Sequence, residues 1–141
     1  MTNNAADPYT RRTIVAAGVL GATGVALGAF GAHGLKSALA DVADGALRLE
    51  WWDKATRYQM WHALLVGLLA SSAGHSRTAR FGVLFSTLGV VLFSGSLYAM
   101  TLTGVRWLGA ITPLGGVSFI AAWSCFALSG RARSSPTSTS S

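Results

Sequence analysis

The sequence predicts an all-α polytopic membrane protein, with four transmembrane helices in an antiparallel bundle and a short interfacial helix before the second span. Half of the 141 residues are apolar (51%) and only 11% are charged, against about 25% charged residues in soluble domains. The apolar residues form four long charge-free segments. Because a spanning segment has to satisfy its own backbone in lipid and no strand-length alternation of polarity is present, helix is the expected structure.

The membrane domain is predicted to lie between two polar tails. Residues 1–12 are expected to form a flexible cytoplasmic N-terminal tail, and residues 131–141, rich in serine and threonine, a disordered C-terminal tail. A bilayer core of about 30 Å needs about 20 residues of helix. The four-helix domain, residues 13–130, meets this requirement with spans at about 13–32, 58–76, 81–102 and 108–130.

The first span follows a basic pair, Arg11 and Arg12, which is also found in twin-arginine leaders. Its apolar segment, however, is longer than the core of about 7–15 residues in a signal peptide. Five glycines occupy an arc of about 140° on a helical wheel, and such a stripe allows another helix to pack closely. We therefore predict an uncleaved span that packs through Gly18, Gly21, Gly24, Gly28 and Gly31. Its packing partner, within the bundle or in a second copy, is left open.

The second span is preceded by a charged segment, residues 46–57, with the composition of a surface helix. Glu50 and Lys54, like Asp53 and Arg57, have the i,i+4 spacing that stabilises helices. Tryptophans beside charges suit the headgroup layer. This segment is therefore predicted to form a short interfacial helix leading into the span.

Small residues and one proline characterise the last two spans. The third span carries small residues at spacings suited to close packing, namely Gly82, Ser86 and Gly89. In the fourth, Pro113 favours a first helical turn, so that Thr112 would be the N-cap. A kink within a longer helix starting near Trp107 is the alternative, and we favour the cap.

The distribution of basic residues predicts that both termini are cytoplasmic. The positive-inside rule compares Lys and Arg in short loops. The proposed inner segments each carry a tight pair, namely Arg11 and Arg12, Arg77 and Arg80, and Arg131 and Arg133. Basic residues of the first outer loop are instead mixed with acidic ones. This pattern also accounts for the net charge of +6 without a nucleic-acid partner, since no basic stripe interleaved with aromatics is present.

Threading the four spans predicts one polar cluster at their outer ends. Its members are His33, Tyr58, Gln59, His62, Ser94, Ser96, Tyr98, Arg106 and Thr112. Polar groups at membrane depth are costly unless paired, and they often mark function. Helix capping and interhelical hydrogen bonds are the competing interpretation, and the sequence leaves both open.

No catalytic, cofactor-binding or metal-binding residue is predicted, and the protein is not expected to be an enzyme. Two histidines lack the third protein ligand of a zinc site. Cys125 is the only cysteine, which excludes an intrachain disulfide. The glycines lie within apolar segments without the preceding strand of a nucleotide-binding loop. No cofactor is therefore expected.

Three functional hypotheses remain, in decreasing order of support. The first is a non-enzymatic bundle that binds membrane lipids, another copy of itself or a membrane-protein partner through the polar cluster. The alternative is small-molecule transport or permeation, with the cluster lining an outer vestibule. An enzyme on the outer face comes last because no complete catalytic set can be assembled.

Four segments in this order resemble the signatures of the YgdD-like family, small bacterial inner-membrane proteins with a domain of unknown function. The segments are 28–34 (GAFGAHG), 58–62 (YQMWH), 94–98 (SGSLY) and 106–116 (RWLGAITPLGG). The resemblance extends over about residues 13–130 and implies a four-helix membrane protein. It implies no activity, substrate or catalytic residue.

Overall fold

The computed structural model describes residues 7–73 and 76–131, and every regular element among them is helical. The helices, in chain order, are α1 (Pro8–Phe30), a π-helical turn (Gly31–Leu35), α2 (Lys36–Ala38), α3 (Gly45–Ala73), α4 (Arg77–Gly89), a second π-helical turn (Val90–Ser94), α5 (Gly95–Thr103), a 3-10 turn (Arg106–Ala110) and α6 (Thr112–Arg131). The π-helical turns join α1 to α2 and α4 to α5 without a break, so each pair forms one long rod.

Helix α1 begins five residues earlier than the sequence predicted. The carboxylate of Asp7 accepts hydrogen bonds from the backbone N–H groups of Tyr9 (3.1 Å) and Thr10 (3.3 Å), and Pro8 occupies the first turn, where its missing N–H costs nothing. The prediction of a flexible tail over 1–12 is therefore wrong for residues 8–12. Residues 1–6 and the predicted tail beyond Arg131 lie outside the described residues.

The predicted interfacial helix is the first half of α3. Helix α3 runs without interruption from Gly45 to Ala73, so the helix predicted over residues 46–57 forms, but as the first part of one long helix and not as a short helix of its own. The expected ion pair between Asp53 and Arg57 does form on its exposed face. Charge marks where a helix leaves the hydrocarbon layer, but it does not end the helix.

Helix α6 begins at Thr112, which places Pro113 in its first turn as the favoured interpretation expected. The preceding Arg106–Ala110 segment is a distinct 3-10 turn and not the start of one kinked helix. Helix α5 ends at Thr103 and is capped by Gly104, whose φ of 74° lies in the left-handed region that glycine tolerates.

Three helical stretches in the described parts of the chain are long and apolar enough to cross a membrane. They are Pro8–Ala38, Arg77–Thr103 and Arg106–Gly130, with mean hydropathies of 1.9, 1.8 and 1.6. Helix α3, as far as the structure describes it, is not among them, and its first half is charged.

The helices pack in the order α1, α3, α4–α5 and α6, with α1 lying mainly on α3 and α6 mainly on α4 and the second π-helical turn. One apolar core, around Leu65, Leu69 and Val83, joins α3, α4 and α6. A second core, formed by Ala55, Leu97 and Met100, joins α3 to α5.

The glycine stripe of α1 takes part in this packing at only two of its five positions. A Cβ built at Gly24 would contact Gln59 and Met60, and one at Gly31 would clash with the ring of Trp52. A Cβ at the other three positions meets nothing within 4 Å; these are Gly18, Gly21 and Gly28. Within one copy of the chain the predicted close approach along the stripe therefore holds only at Gly24 and Gly31, because the other contacts of α1 with α3 are made by residues outside the stripe.

Candidate functional site

The nine polar residues predicted to form one cluster are distributed over separate groups along the bundle. Since α3 begins at Gly45, Gln59 lies at the midpoint of that helix and His62 one turn further on. His33 is exposed on the first π-helical turn, apart from the other eight. The nine side chains therefore do not form one hydrogen-bonded network at the helix ends, because the helix that carries Gln59 and His62 begins well before Tyr58, at Gly45.

Gln59 is the centre of the first group, a hydrogen-bonded network between α1, α3 and α5. Its side-chain N–H group donates to the carbonyl oxygen of Leu20 and to the hydroxyl of Thr23, both at 2.9 Å. Its carbonyl oxygen accepts from the Tyr98 hydroxyl at 2.9 Å. Gln59 is only 4% exposed, so these bonds satisfy an amide that burial would otherwise destabilise.

His62 is the buried residue with an unsatisfied polar atom. Its Nδ1 lies 2.7 Å from the carbonyl oxygen of Tyr58, and since a carbonyl only accepts, Nδ1 carries the hydrogen in the neutral ring. Nε2 is therefore an acceptor, and it has no partner among the described residues. An unsatisfied buried acceptor costs about 1–3 kcal/mol. The ring stacks on Phe119 with centroids 3.4 Å apart.

A third group consists of hydroxyls that join the continuous rod of α4, the second π-helical turn and α5 to the backbone of α3. Ser86 donates to the carbonyl oxygen of His62 (3.2 Å), Ser94 to that of Ala55 (2.8 Å) and Thr101 to that of Arg48 (3.0 Å). Only Ser94 was predicted as a site residue. These bonds hold helices together at the usual modest energies of membrane proteins, and we assign Ser94 to packing.

Ser96 and Thr112 make a separate contact between α5 and α6, with their hydroxyl oxygens 2.8 Å apart. This bond uses the Thr112 side chain, which the sequence analysis had given to an N-cap. The contact fixes the start of α6 against α5.

Arg106 belongs to an ion-pair group at the end of the bundle where α2 meets α3. The carboxylate of Asp44 accepts from Arg48 Nε at 2.8 Å and from Arg106 Nη2 at 3.4 Å. Arg48 also donates to the carbonyl oxygen of Thr101. Partial desolvation raises the pKa of Asp44, but the hydrogen bonds from Arg48 and Arg106 outweigh it and hold that pKa below its usual value.

Replacing Asp44 by asparagine is expected to lower the unfolding temperature at pH 7 but not at low pH. A carboxyl whose pKa is lowered on folding stabilises the folded state above its unfolded pKa, near 3.8, and loses this effect as pH falls through the folded pKa. The gap in unfolding temperature between wild type and Asp44→Asn should therefore shrink below about pH 4. A gap that is constant with pH would contradict this assignment.

The largest concave surface with a buried polar atom is an aromatic groove between α3 and α6. It has a volume of about 860 Å³. Its floor and walls are aromatic, and they comprise Tyr58, Trp61, His62, Phe93, Phe119 and Trp123. Along α6 it continues over small and aliphatic residues, from Pro113 to Ala127. None of the residues that line it is charged. We call this feature the aromatic groove.

The rings of the aromatic groove also contact one another. Tyr58 lies 4.5 Å from Phe93 and 5.8 Å from Phe119, centroid to centroid. Trp123 meets His62 edge-on at 6.3 Å. Trp61 and Trp123 are about half exposed, at 49% and 46%, so the mouth of the groove is open while its base is packed.

Tyr58 and His62 were predicted from the sequence as site residues, whereas the remaining residues of the groove were not. Phe119 and Trp123 have i,i+4 spacing on α6, which predicts a shared face, yet their register against α3 is not visible in the sequence. Trp52 was also missed, although its indole N–H donates to the carbonyl oxygen of Leu27 at 2.8 Å. Among the described residues, no group of three His, Cys, Asp or Glu side chains is placed to hold a metal ion.

The apolar helices and their buried interhelical hydrogen bonds define the class of this chain, an integral membrane protein. Residues 27–116 match the family model described as a protein of unknown function (DUF423). The chain belongs to this family, whose curated members are called UPF0382 membrane proteins.

Two relatives illustrate the similarity. The UPF0382 inner membrane protein YgdD of Escherichia coli is 39% identical over 116 residues, which cover 81% of this chain and 85% of YgdD. The UPF0382 membrane protein YwdK of Bacillus subtilis is 47% identical over 105 residues, covering 70% of this chain and 79% of YwdK. The resemblance to YgdD-like proteins is thereby confirmed. No solved structure gives a significant match to the chain.

Proposed function

We propose that the protein is a non-enzymatic four-span bundle that binds a neutral membrane lipid in the aromatic groove. The observation that carries this proposal is the groove itself, in which an apolar aromatic lining includes a buried acceptor, His62 Nε2, that has no partner in the described part of the chain. Apolar pockets with few polar groups are the usual sites for small lipophilic molecules. The groove replaces the outer polar cluster as the binding site. Nucleic acid is not expected as a partner.

The proposal includes four spans in antiparallel order with both termini in the cytoplasm. Helices α1 and α3 pack in opposite directions, because residue numbers fall along α1 as they rise along α3. Leu27 meets Trp52, Leu20 meets Gln59, and Ala17 lies beside Gly67. Helix α3 would then cross with α1, its short apolar part completed by residues of its first half. Paired arginines at the starts of α1 and α4 support the cytoplasmic side.

Reporter fusions at both termini test this topology. Fusions to a cytoplasmic fluorophore and to a periplasmic enzyme should both place the N- and C-termini in the cytoplasm. Termini on opposite faces would require an odd number of crossings and would rule out the four-span arrangement.

The groove is tested with a variant that fills it. A Cβ at Gly116 meets nothing within 4 Å, and Gly116 lines the groove. Gly116→Leu should therefore block the groove without disturbing the bundle. Gly18→Leu is the matched control, because a Cβ at Gly18 is equally free and lies on α1. Mass spectrometry of purified protein should show that Gly116→Leu loses a copurifying neutral lipid and that Gly18→Leu retains it.

Two other results would overturn lipid binding. Identical lipid content in both variants and wild type would leave the groove without a lipid role. A shift from dimer to monomer in Gly116→Leu alone, at unchanged lipid content, would identify a second copy of the chain as the occupant.

A further inference from the structure

We propose that the ligand of the aromatic groove is a lipophilic phenol, a molecule with an aromatic ring, one hydroxyl on that ring and an apolar chain. This inference rests on the proposed function, because it names the chemical class that the groove would bind. It depends on three properties of the groove: the identity of its one buried polar atom that lacks a partner among the described residues, the absence of charge in its lining and the nature of its walls.

The free polar atom requires a hydrogen-bond donor from the ligand. His62 is 2% exposed, and its Nδ1 hydrogen is used by the carbonyl oxygen of Tyr58. Nε2 is left with a lone pair and no partner. A ligand ester, ether or ketone has no hydrogen to donate, whereas a hydroxyl does. The ligand is therefore a donor at this atom.

The lining excludes a charged headgroup. None of the groove residues is Asp, Glu, Lys or Arg, and an uncompensated charge at an apolar site is strongly unfavourable. Ser124, the hydroxyl residue on the α6 wall, already donates to the carbonyl oxygen of Ile120 at 2.9 Å. Phospholipid headgroups are thus disfavoured, and the ligand is neutral.

The walls favour an aromatic ring over an aliphatic alcohol. His62 is already stacked on Phe119, and Tyr58, Trp61 and Trp123 surround the same base. Aromatic rings gain offset-stacked and edge-to-face contacts beyond the burial of their area. Because Nε2 is covered in this structure, a side chain beside His62 has to move for the ligand ring to reach it. Trp123 is the most exposed of the three rings that contact His62, which makes it the candidate for this movement. The alkyl chain of the ligand then follows Val117 and Ile120 along α6.

The experiment compares three probes on the full chain in phosphatidylcholine nanodiscs. They are para-octylphenol, its methyl ether para-octylanisole, which keeps the ring but lacks the O–H, and n-decanol, which keeps the O–H but lacks the ring. Binding is followed by the fluorescence of the groove tryptophans. We expect the phenol to bind about tenfold more tightly than the ether, the ratio for one hydrogen bond to a buried acceptor. The alcohol should bind more weakly than the phenol.

The variant His62→Phe tests the contact directly. Phenylalanine keeps the stacking on Phe119 and lacks the acceptor. The affinity of the variant for the phenol should therefore fall to its affinity for the ether, which should be unchanged. Should this variant not fold, Gly116→Leu serves in its place and should abolish binding of both aromatic probes.

Each contrary result overturns a defined part of the inference. Equal affinities of the wild-type protein for the phenol and the ether would show that the ligand makes no hydrogen bond to His62. Tighter binding of n-decanol than of para-octylphenol would show that the ligand does not need an aromatic ring. If neither aromatic probe binds while Gly116→Leu still loses its copurifying lipid, the phenol proposal fails and the proposed lipid function stands.

Discussion

Replacing Gly115 by alanine is expected to destabilise the protein by about 2 kcal/mol, the usual cost of forcing extra atoms into a packed interface. A Cβ at this position would come too close to the backbone nitrogen and Cα of Phe93 in the second π-helical turn. Backbone atoms cannot move aside as a flexible side chain does. Helix α6 would have to shift away from the second π-helical turn, and the walls of the aromatic groove would separate.

The next residue provides a matched control for this prediction. A Cβ at Gly116 meets nothing, and alanine in a helix is favoured over glycine by about 0.5–1 kcal/mol. Gly116→Ala should therefore be neutral or slightly stabilising. Unfolding in mixed detergent micelles would measure both variants, and equal stabilities would show that α6 does not contact Phe93 closely.

Replacing Gln59 by leucine is expected to cost about 2 kcal/mol, because three interhelical hydrogen bonds at about 0.6–1 kcal/mol each are lost. Leucine fills nearly the same volume, so the loss reports the bonds rather than a cavity. The carbonyl oxygen of Leu20 and the hydroxyl of Tyr98 would both be left without this partner. Since Gln59 joins α1 to α3 and α5, the variant should also expose α1 to proteolysis.

A double-mutant cycle with Tyr98→Phe isolates one bond of this network. The two changes should cost less together than the sum of their separate effects, because they share the Gln59–Tyr98 hydrogen bond. Ser118→Ala is the control, since Ser118 donates only to the carbonyl oxygen of Leu114 in its own helix. Strict additivity of Gln59→Leu and Tyr98→Phe would contradict the network.

The helical class could be predicted from the sequence because it depends on composition and on the length of apolar segments. Helix ends were less predictable. The sequence places the second span at residue 58, where the charges end, with a short helix before it, whereas α3 is one helix that begins at Gly45. A boundary of charge and a boundary of helix are set by different forces, solvation in one case and backbone hydrogen bonding in the other.

The aromatic groove could be predicted only in part. Tyr58 and His62 were identified because polar residues in an apolar segment are conspicuous, and Phe119 was missed because an apolar residue in such a segment is not. The contact between His62 and Phe119 depends on the register of α3 against α6. The position of Phe119 depends in turn on close approaches to other helices, such as Gly89 of α4 against the Phe119 ring, and no local pattern encodes them.

The second π-helical turn keeps two neighbouring rods in phase. The α3 carbonyl groups that accept hydrogen bonds from the α4–α5 rod recur every seven residues, at His62, Ala55 and Arg48. The matching donors, Ser86, Ser94 and Thr101, are separated by eight residues and then seven, and the interval of eight contains Val90–Ser94. In a regular α-helix the surplus residue would rotate everything beyond it by about 100°. The wider π-helical turn absorbs that rotation. The hydroxyls before and after the turn therefore all face the backbone of α3.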